Sequence, residues 1–518
     1  TMLEDGRILY NRWEYVYKGI AGVQSLWMMR PDGSASNEFF GNSVTDPGVF
    51  WQGRQVPGHP NLAVFIGCGH EPFGVGSAML VDVADGRRTA EAMRTLTPDV
   101  RTQGIRGIYH LRNGRWREDW YGPLYVDPYP LSDKFFLIVC NEDKRYNDQT
   151  GYGIYLLDTF GNRVPVYSDP NISCWQPMVL APRPTPPVIP TISETETEDT
   201  DTAKVFLSDV YQGLSGVPRG TVKYIRVMEQ IPRHWSSEIN RPEDTGPGHI
   251  PAVSLGTHIW VGVLLGVVPV NEDGSASFEV PANRNLYFQA LDEDYMQVQG
   301  MRTFVNLIPG ETRSCVGCHE PRAQTPISRD MYSPLRTTVS LSPQPGDSGA
   351  RPLYYPTDVQ PMLDRHCVRC HNPKDPQGEL DLSGGLTTLF SRSYENIIRK
   401  GLINGIREWV PLPKGGLPGG SMSHVEYTPP YTYGSHRSKL IELLRKGHYD
   451  VKLDREEFIR LVTWIDTNAQ YYGSYFGRRN LKLLKDPNFR PIPTLEMARS
   501  ARSDIDRSGK PKAQSGGR

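Results

Sequence analysis

The sequence predicts a mainly β chain with a small α domain: a partial β-propeller, a β-rich middle domain and a compact helical unit towards the C-terminal end. Three observations carry this. Glycine (50), proline (44), tyrosine (26) and tryptophan (10) are all frequent in 518 residues, the composition of turn-rich, aromatic-packed strands. Short aliphatic and aromatic segments that end in an Asp and Gly turn recur through the first third of the chain. Apolar residues at helical spacing become prominent only beyond residue 355. A formal net charge of -1 argues against a nucleic-acid binder. No run of 18 apolar residues is present, so no transmembrane span is expected.

Residues 1–180 read as blades of a propeller, with a β-sandwich as the competing architecture. Asp5-Gly6 leads into Arg7-Ile8-Leu9-Tyr10, and Ser25–Arg30 runs into Asp32-Gly33. The theme returns at Ala78–Asp82 before Asp85-Gly86, and at Gly153–Leu157 before Asp158 and Gly161. About three blades fit this stretch, too few for a closed ring, so an N-terminal part is expected to be missing. Gly67-Cys68-Gly69-His70 could present two metal ligands on one loop, or a buried cysteine beside a turn histidine. Cys140 and Cys174 occupy strand-like positions, where core placement is the commoner outcome and a disulfide the other.

Residues 181–202 read APRPTPPVIPTISETETEDTDT, a linker stiffened by proline and then solvated by acids. Residues 203–345 form the β-rich middle domain. Its strongest local signal is Val267–Val280, where Asn-Glu-Asp-Gly separates two alternating segments and predicts a hairpin. In residues 355–475, Asp358–His366 predicts a short helix and Ser438–Lys446 another, stopped by Gly447 at a left-handed cap. Asp454 and Glu457 make a capping box ahead of an apolar face at Phe458, Leu461, Val462 and Ile465. Residues 476–518 read as a disordered tail.

Chemistry is concentrated in two short stretches, Cys315-Val316-Gly317-Cys318-His319 and Cys367-Val368-Arg369-Cys370-His371. Four of the seven cysteines lie in them, so chance is a poor explanation. Cys-x-x-Cys-His is the attachment signature of c-type haem. Two thiols add across the vinyl groups of one porphyrin, and the adjacent histidine approaches the iron. The expectation is two covalently attached c-type haems in an extracytoplasmic compartment. Structural zinc, which could take both cysteine pairs together, and a redox dithiol are the competing readings. For the second motif His371 is the proximal ligand, and the donors for the far face are His366, Met422, His424, His436 and His448. His366 adjoins Cys367 on the attachment side. His448 follows the Gly447 cap, where a chain reversal aims a side chain inward between helices.

Trp260–Arg322 and the stretches VQPMLDRHCVRCHNP, RKGHYDVKL and FIRLVTWIDTNAQYYG resemble the hydrazine synthase alpha subunit family. The resemblance covers essentially residues 1–475 and is specific in the last two domains. It implies an N-terminal propeller, a middle domain with one c-type haem and a C-terminal cytochrome domain with another. It implies partner subunits or a redox cytochrome, a small inorganic nitrogen substrate, and a periplasmic or anammoxosomal location. In that family the first motif's histidine binds zinc together with a propeller cysteine, and a tyrosine four residues later binds the iron. Here the cysteine position corresponds to Cys68 and the tyrosine position falls on Ala323, which has no donor atom; Tyr332 is the nearest later tyrosine. His319 is then open to iron or zinc. The family's second haem has two histidine ligands, which also favours His448. A multihaem oxidoreductase is the leading expectation. A non-catalytic electron-transfer cytochrome and a zinc-stabilised propeller scaffold are the alternatives.

Overall fold

A computed structural model describes residues 1–14, 16, 18, 24–102, 107–192, 201–231, 253–255, 261–319, 337–387, 389–405, 427–475 and 494–499. It divides into two compact units, Thr1–Asp199 with Met422–Tyr427, and Thr200–Ser421 with Thr428–Arg518.

The first unit is a run of antiparallel meanders. β1 (Ile8–Trp13), β2 (Gln24–Met29) and β3 (Asn37–Phe40) make the first. β4 (Val49–Gln55), β5 (Leu62–Cys68), β6 (Gly76–Asp82) and β7 (Met93–Thr95) make the second. β8 (Val100–Thr102), β9 (Ile108–Arg112) and β10 (Arg115–Glu118) form a separate small sheet. β11 (Leu124–Pro130), β12 (Phe135–Asn141), β13 (Tyr152–Asp158) and β14 (Arg163–Tyr167) complete the series. Neighbouring meanders touch through single residue pairs, Gln24 with Val49 and Gly76 with Tyr125. Within a meander the ladders are long, seven pairs between β5 and β6. Extensive pairing inside each group and sparse pairing between groups is propeller-like, and among the described residues the ring is not closed. The expected Asp and Gly turns fall at strand ends, as at Gly33 (φ 87), because a tight reversal there needs a positive φ.

The first half of the 181–202 stretch lies along this unit, with the Ile192 amide donating to Asp32 Oδ2 at 2.9 Å. Cys140 and Cys174 are both free thiols.

The second unit opens with β15 (Thr202–Leu207), followed by β16 (Tyr224–Ile231), β17 (Val261–Pro269), β18 (Ala276–Pro281), β19 (Asn285–Leu291), β20 (Gln297–Gly300), β21 (Thr312–Cys315) and β22 (Arg351–Pro352). One sheet has the order β20-β19-β16-β17-β22 and the other β18-β15-β21. The expected 267–280 hairpin does not form as a ladder. Its turn is present, with the Asn271 amide bonded to the Ser275 carbonyl at 2.8 Å. Its two strands, however, enter different sheets. β17 is flanked by β16 on one edge and β22 on the other, so β18 pairs with β15.

The helices are α1 (Tyr355–Asp358), α2 (Gln360–His366), α3 (Arg392–Arg399), α4 (Lys439–Lys446), α5 (Arg455–Asp466) and α6 (Leu495–Arg499). The capping box of α5 is complete, with the Glu457 amide on Asp454 Oδ1 at 2.8 Å and the Asp454 amide on Glu457 Oε2 at 3.1 Å. Gly447 has φ 93 as expected of a glycine stop, but ψ 126 takes it out of the left-handed helical region. α6 lies in the stretch expected to be disordered, and Arg499 Nε reaches Glu229 Oε2 at 3.0 Å.

The middle and C-terminal segments, expected as separate domains, share one core. Val205, Leu265 and Phe278 belong to the same buried cluster as Tyr355, Tyr394, Trp464 and Ile465. Arg226 of β16, fully buried, ties sheet to helix. It donates to Gln344 Oε1 (3.0 Å), Gln289 Oε1 (2.9 Å), the Tyr295 carbonyl (3.1 Å) and Thr463 Oγ1 of α5 (2.9 Å). A buried guanidinium is tolerated when its donors are this well matched.

Candidate functional site

The second motif is a continuation of α2. The Cys367 amide bonds to the Leu363 carbonyl (2.8 Å), the Cys370 amide to the Cys367 carbonyl (3.1 Å), and the His371 amide to the same carbonyl (3.0 Å). The turn after the helix therefore fixes both thiols and the histidine as one rigid piece. Cys367 packs against the shared core, and burial pushes its thiol up to about 11. Cys370 is exposed. The loop beyond the motif folds back through Gly378 (φ 63), with the Gln377 amide on the Cys370 carbonyl at 3.1 Å. That return places the Gln377 carbonyl 2.8 Å from His371 Nδ1. A carbonyl only accepts, so Nδ1 carries the proton and Nε2 keeps its lone pair for a metal.

His448, just beyond α4 and Gly447, faces His371. Their rings are nearly parallel, at 16°, with centroids 6.1 Å apart. Two metal–nitrogen bonds of about 2 Å each, with the half-widths of two imidazoles, require roughly 6.3 Å. The observed centroid spacing is close to that value. Arg369 inside the motif also pairs with Asp450 beside His448, joining the two loops at the surface.

The other nearby histidines are engaged elsewhere. His366 Nε2 lies 3.0 Å from both carboxylate oxygens of Glu457, which also takes two bonds from Arg365. His436 Nε2 lies 2.9 Å from Asp292 Oδ2. Met422 and His424 lie outside the described residues.

The first motif has a different scaffold. β21 runs parallel to β15 and pairs Cys315 with Leu207. The ladder continues past the strand end, with the Ser208 amide on the Cys315 carbonyl (2.9 Å) and the Asp209 amide on the Val316 carbonyl (3.1 Å). The His319 amide reaches the Gln212 carbonyl at 3.4 Å. Cys315 and Cys318 pack against the same core as Cys367. Burial, with Cys315 and Asp209 adding, pushes the Cys318 thiol up to about 12. Ala323 and Tyr332 lie outside the described residues.

Cys68 ends β5 in the first unit and is fully buried, its thiol pushed up to about 12 by burial. That is the state of an unreactive core thiol. His70 instead meets Trp13 edge-on at 5.1 Å. Among the described residues no three His, Cys, Asp or Glu side chains converge as a metal would need.

Two contributors to these sites were not visible in the sequence. Gln377 acts through its carbonyl, which any residue possesses, and only the neighbouring Gly378 hinted at a reversal. The Ser208–Gly213 segment meets the first motif through long-range pairing, and its Gly213-Leu214-Ser215-Gly216 run was the only local signal.

Residues 220–320 match the family model described as the hydrazine synthase alpha subunit middle domain. The chain is 22% identical over 446 residues to hydrazine synthase subunit alpha of Kuenenia stuttgartiensis, covering 68% of this chain and 54% of that protein. It thus spans about half the length of the curated relative it matches. A solved structure of Kuenenia stuttgartiensis hydrazine synthase matches with a TM-score of 0.65 at 18% identity, over 96% of this chain and 70% of that one. At that identity the likeness is one of fold.

Proposed function

We propose that this chain, a divergent hydrazine synthase alpha-like protein, is an extracytoplasmic dihaem c-type cytochrome that serves as an oxidoreductase on a small inorganic nitrogen compound. The observation that supports the haem reading is the pair His371 and His448, with nearly parallel rings whose centroids are 6.1 Å apart, one of them inside the second motif. Cys367 and Cys370 would hold the porphyrin, and His371 and His448 its iron. Cys315 and Cys318 would hold the other porphyrin, with His319 beside it. Held by these residues, haem would supply one-electron transfer. The second site is therefore assigned to electron transfer and the first to substrate conversion.

The chain's own contribution is to fix these groups. The Gln377 carbonyl sets the tautomer of His371, and the α2 turn sets the distance from Cys367 to His371. Glu457 engages both Arg365 and His366. The nitrogen substrate, and partner subunits or a partner cytochrome, rest on the name of the matched family and of its relatives. Zinc at His319 with Cys68 rests on the resemblance alone and is not part of this proposal. A purely electron-transferring protein is the second reading, and the histidine pair at the second motif is the observation that favours it.

The test is the full chain produced with haem maturation. An intact mass with two haem additions and a reduced absorbance band at about 550 nm are expected. His448→Ala should open the second haem to carbon monoxide while both thioether attachments remain. A mass without haem, or an unchanged second-haem spectrum in His448→Ala, overturns the assignment. Absence of any spectral response to nitric oxide or hydroxylamine at the first haem favours the second reading.

A further inference from the structure

The two motifs position their histidines by different means. His371 takes its place from within its own motif, through the bond from its amide to the Cys367 carbonyl at 3.0 Å. His319 is reached by a separate segment, through the Gln212 carbonyl at 3.4 Å. Two glycines allow that approach. A methyl group on Gly213 would overlap the His319 carbonyl oxygen and lie 2.6 Å from its carbonyl carbon. A methyl group on Gly317, inside the motif, would overlap Gln212 and lie 3.0 Å from its carbonyl carbon. The backbones of 212–213 and 317–319 are thus in direct contact, each through a residue with no side chain. The Ser208 and Asp209 amides, on the Cys315 and Val316 carbonyls, clamp the other half of the turn.

The clamp is anchored behind. Asp209, buried, accepts from the Tyr211 amide at 3.1 Å and from Arg219 Nη1 at 2.9 Å. The Arg219 guanidinium lies over the Tyr211 ring at 4.8 Å, and Tyr211 Oη accepts the Gly220 amide (2.7 Å) and the Val222 amide (3.0 Å). A loop held at both ends in this way has one position, and the turn that packs on it inherits that position.

We infer that the Ser208–Gly213 loop is a positioning element for His319, with Gly213 and Gly317 as its contact. The backbone at the first motif's histidine is held against this loop through the His319 amide and the Gly213 and Gly317 contacts. The part that concerns haem rests on the reading under Proposed function; the contact itself does not.

Three variants of the full chain test it. Gly317→Ala inserts a methyl into the contact from the motif side, and Gly213→Ala does so from the loop side. Gly216→Ala is the control: it has a positive φ of 80 like Gly213 (83), but a methyl there meets nothing within 4 Å. Hydrogen exchange of residues 312–319 reads the contact with or without haem. Gly213→Ala and Gly317→Ala should each speed that exchange by roughly tenfold, the effect of loosening one clamp, while Gly216→Ala should not. In the haem-loaded protein the two contact variants should also shift the first-haem spectrum and leave the second unchanged. Unchanged exchange in Gly317→Ala, or equal acceleration in Gly216→Ala, overturns the inference. If Gly213→Ala fails to fold, Gly317→Ala decides alone, since its backbone strain is not in question. Loss of haem from the wild type with the exchange pattern intact would sink the haem reading and leave the clamp standing.

Discussion

Asp466 at the end of α5 is the titratable group on which the joint between sheet and helix depends. Its buried carboxylate accepts from the Ser435 amide (2.6 Å), Ser435 Oγ (3.0 Å) and the Gln297 amide (2.8 Å). Burial raises it from the usual 3.8 to about 6, against the opposing pull of Arg226 and these donors. Between those two values the folded chain holds a proton that the unfolded chain has released. Stability from this group is therefore full below about pH 4 and lost as pH rises through about 6. At about 1.4 kcal/mol per pH unit the loss is about 3 kcal/mol, roughly a hundredfold in an opening equilibrium. Asp466→Asn removes the proton and keeps the shape. It will orphan a donor, at about 1–3 kcal/mol, but that cost does not depend on pH. Native-state hydrogen exchange of the α5 amides, corrected for intrinsic rates between pH 4 and 7, gives the opening constants. The ratio of the wild-type to the Asn constant should climb about a hundredfold across that range. A flat ratio, or one that falls, refutes the assignment of the proton to Asp466.

Two further outcomes follow from the Glu457 cluster. Burial works against its carboxyl, but bonds from Arg365, the Asp454 amide and His366 hold it below the usual range, so its stabilisation is present at neutral pH and lost on acidification. Glu457→Gln should cost about 1 kcal/mol of α5 stability at pH 7, in line with loss of a helix cap, and flatten the acid limb of a denaturation profile. On the haem proposal, His366→Ala should leave the spectrum of the second site as in the wild type, because the His366 ring is bonded to Glu457; a changed spectrum would make His366 a ligand.

The local elements were legible because their causes are local. Asp454 and Glu457 lie three residues apart, and a capping box needs nothing else. The strand ends with Asp and Gly read correctly for the same reason: a glycine at positive φ reverses the chain wherever it stands. His448 was paired with His371 by a glycine stop and a family likeness; in the structure their ring centroids are 6.1 Å apart.

What the sequence by itself determined, then, is what short-range chemistry can specify: the β-rich class, the caps and turns, and the two Cys-x-x-Cys-His motifs. Tertiary structure decided which strands became partners and what held each histidine. The Val267–Val280 turn formed as written, yet its strands parted, because β16 and β22 already occupied both edges of β17. Two segments expected as separate domains became one core, since Arg226 of the sheet bonds to Thr463 of α5 and the apolar residues of both pack in one cluster. The Gln377 carbonyl and the Gly213 contact were equally beyond sequence reading. Both act through the backbone, which is the same in every residue, so their roles exist only once distant parts of the chain have been brought together.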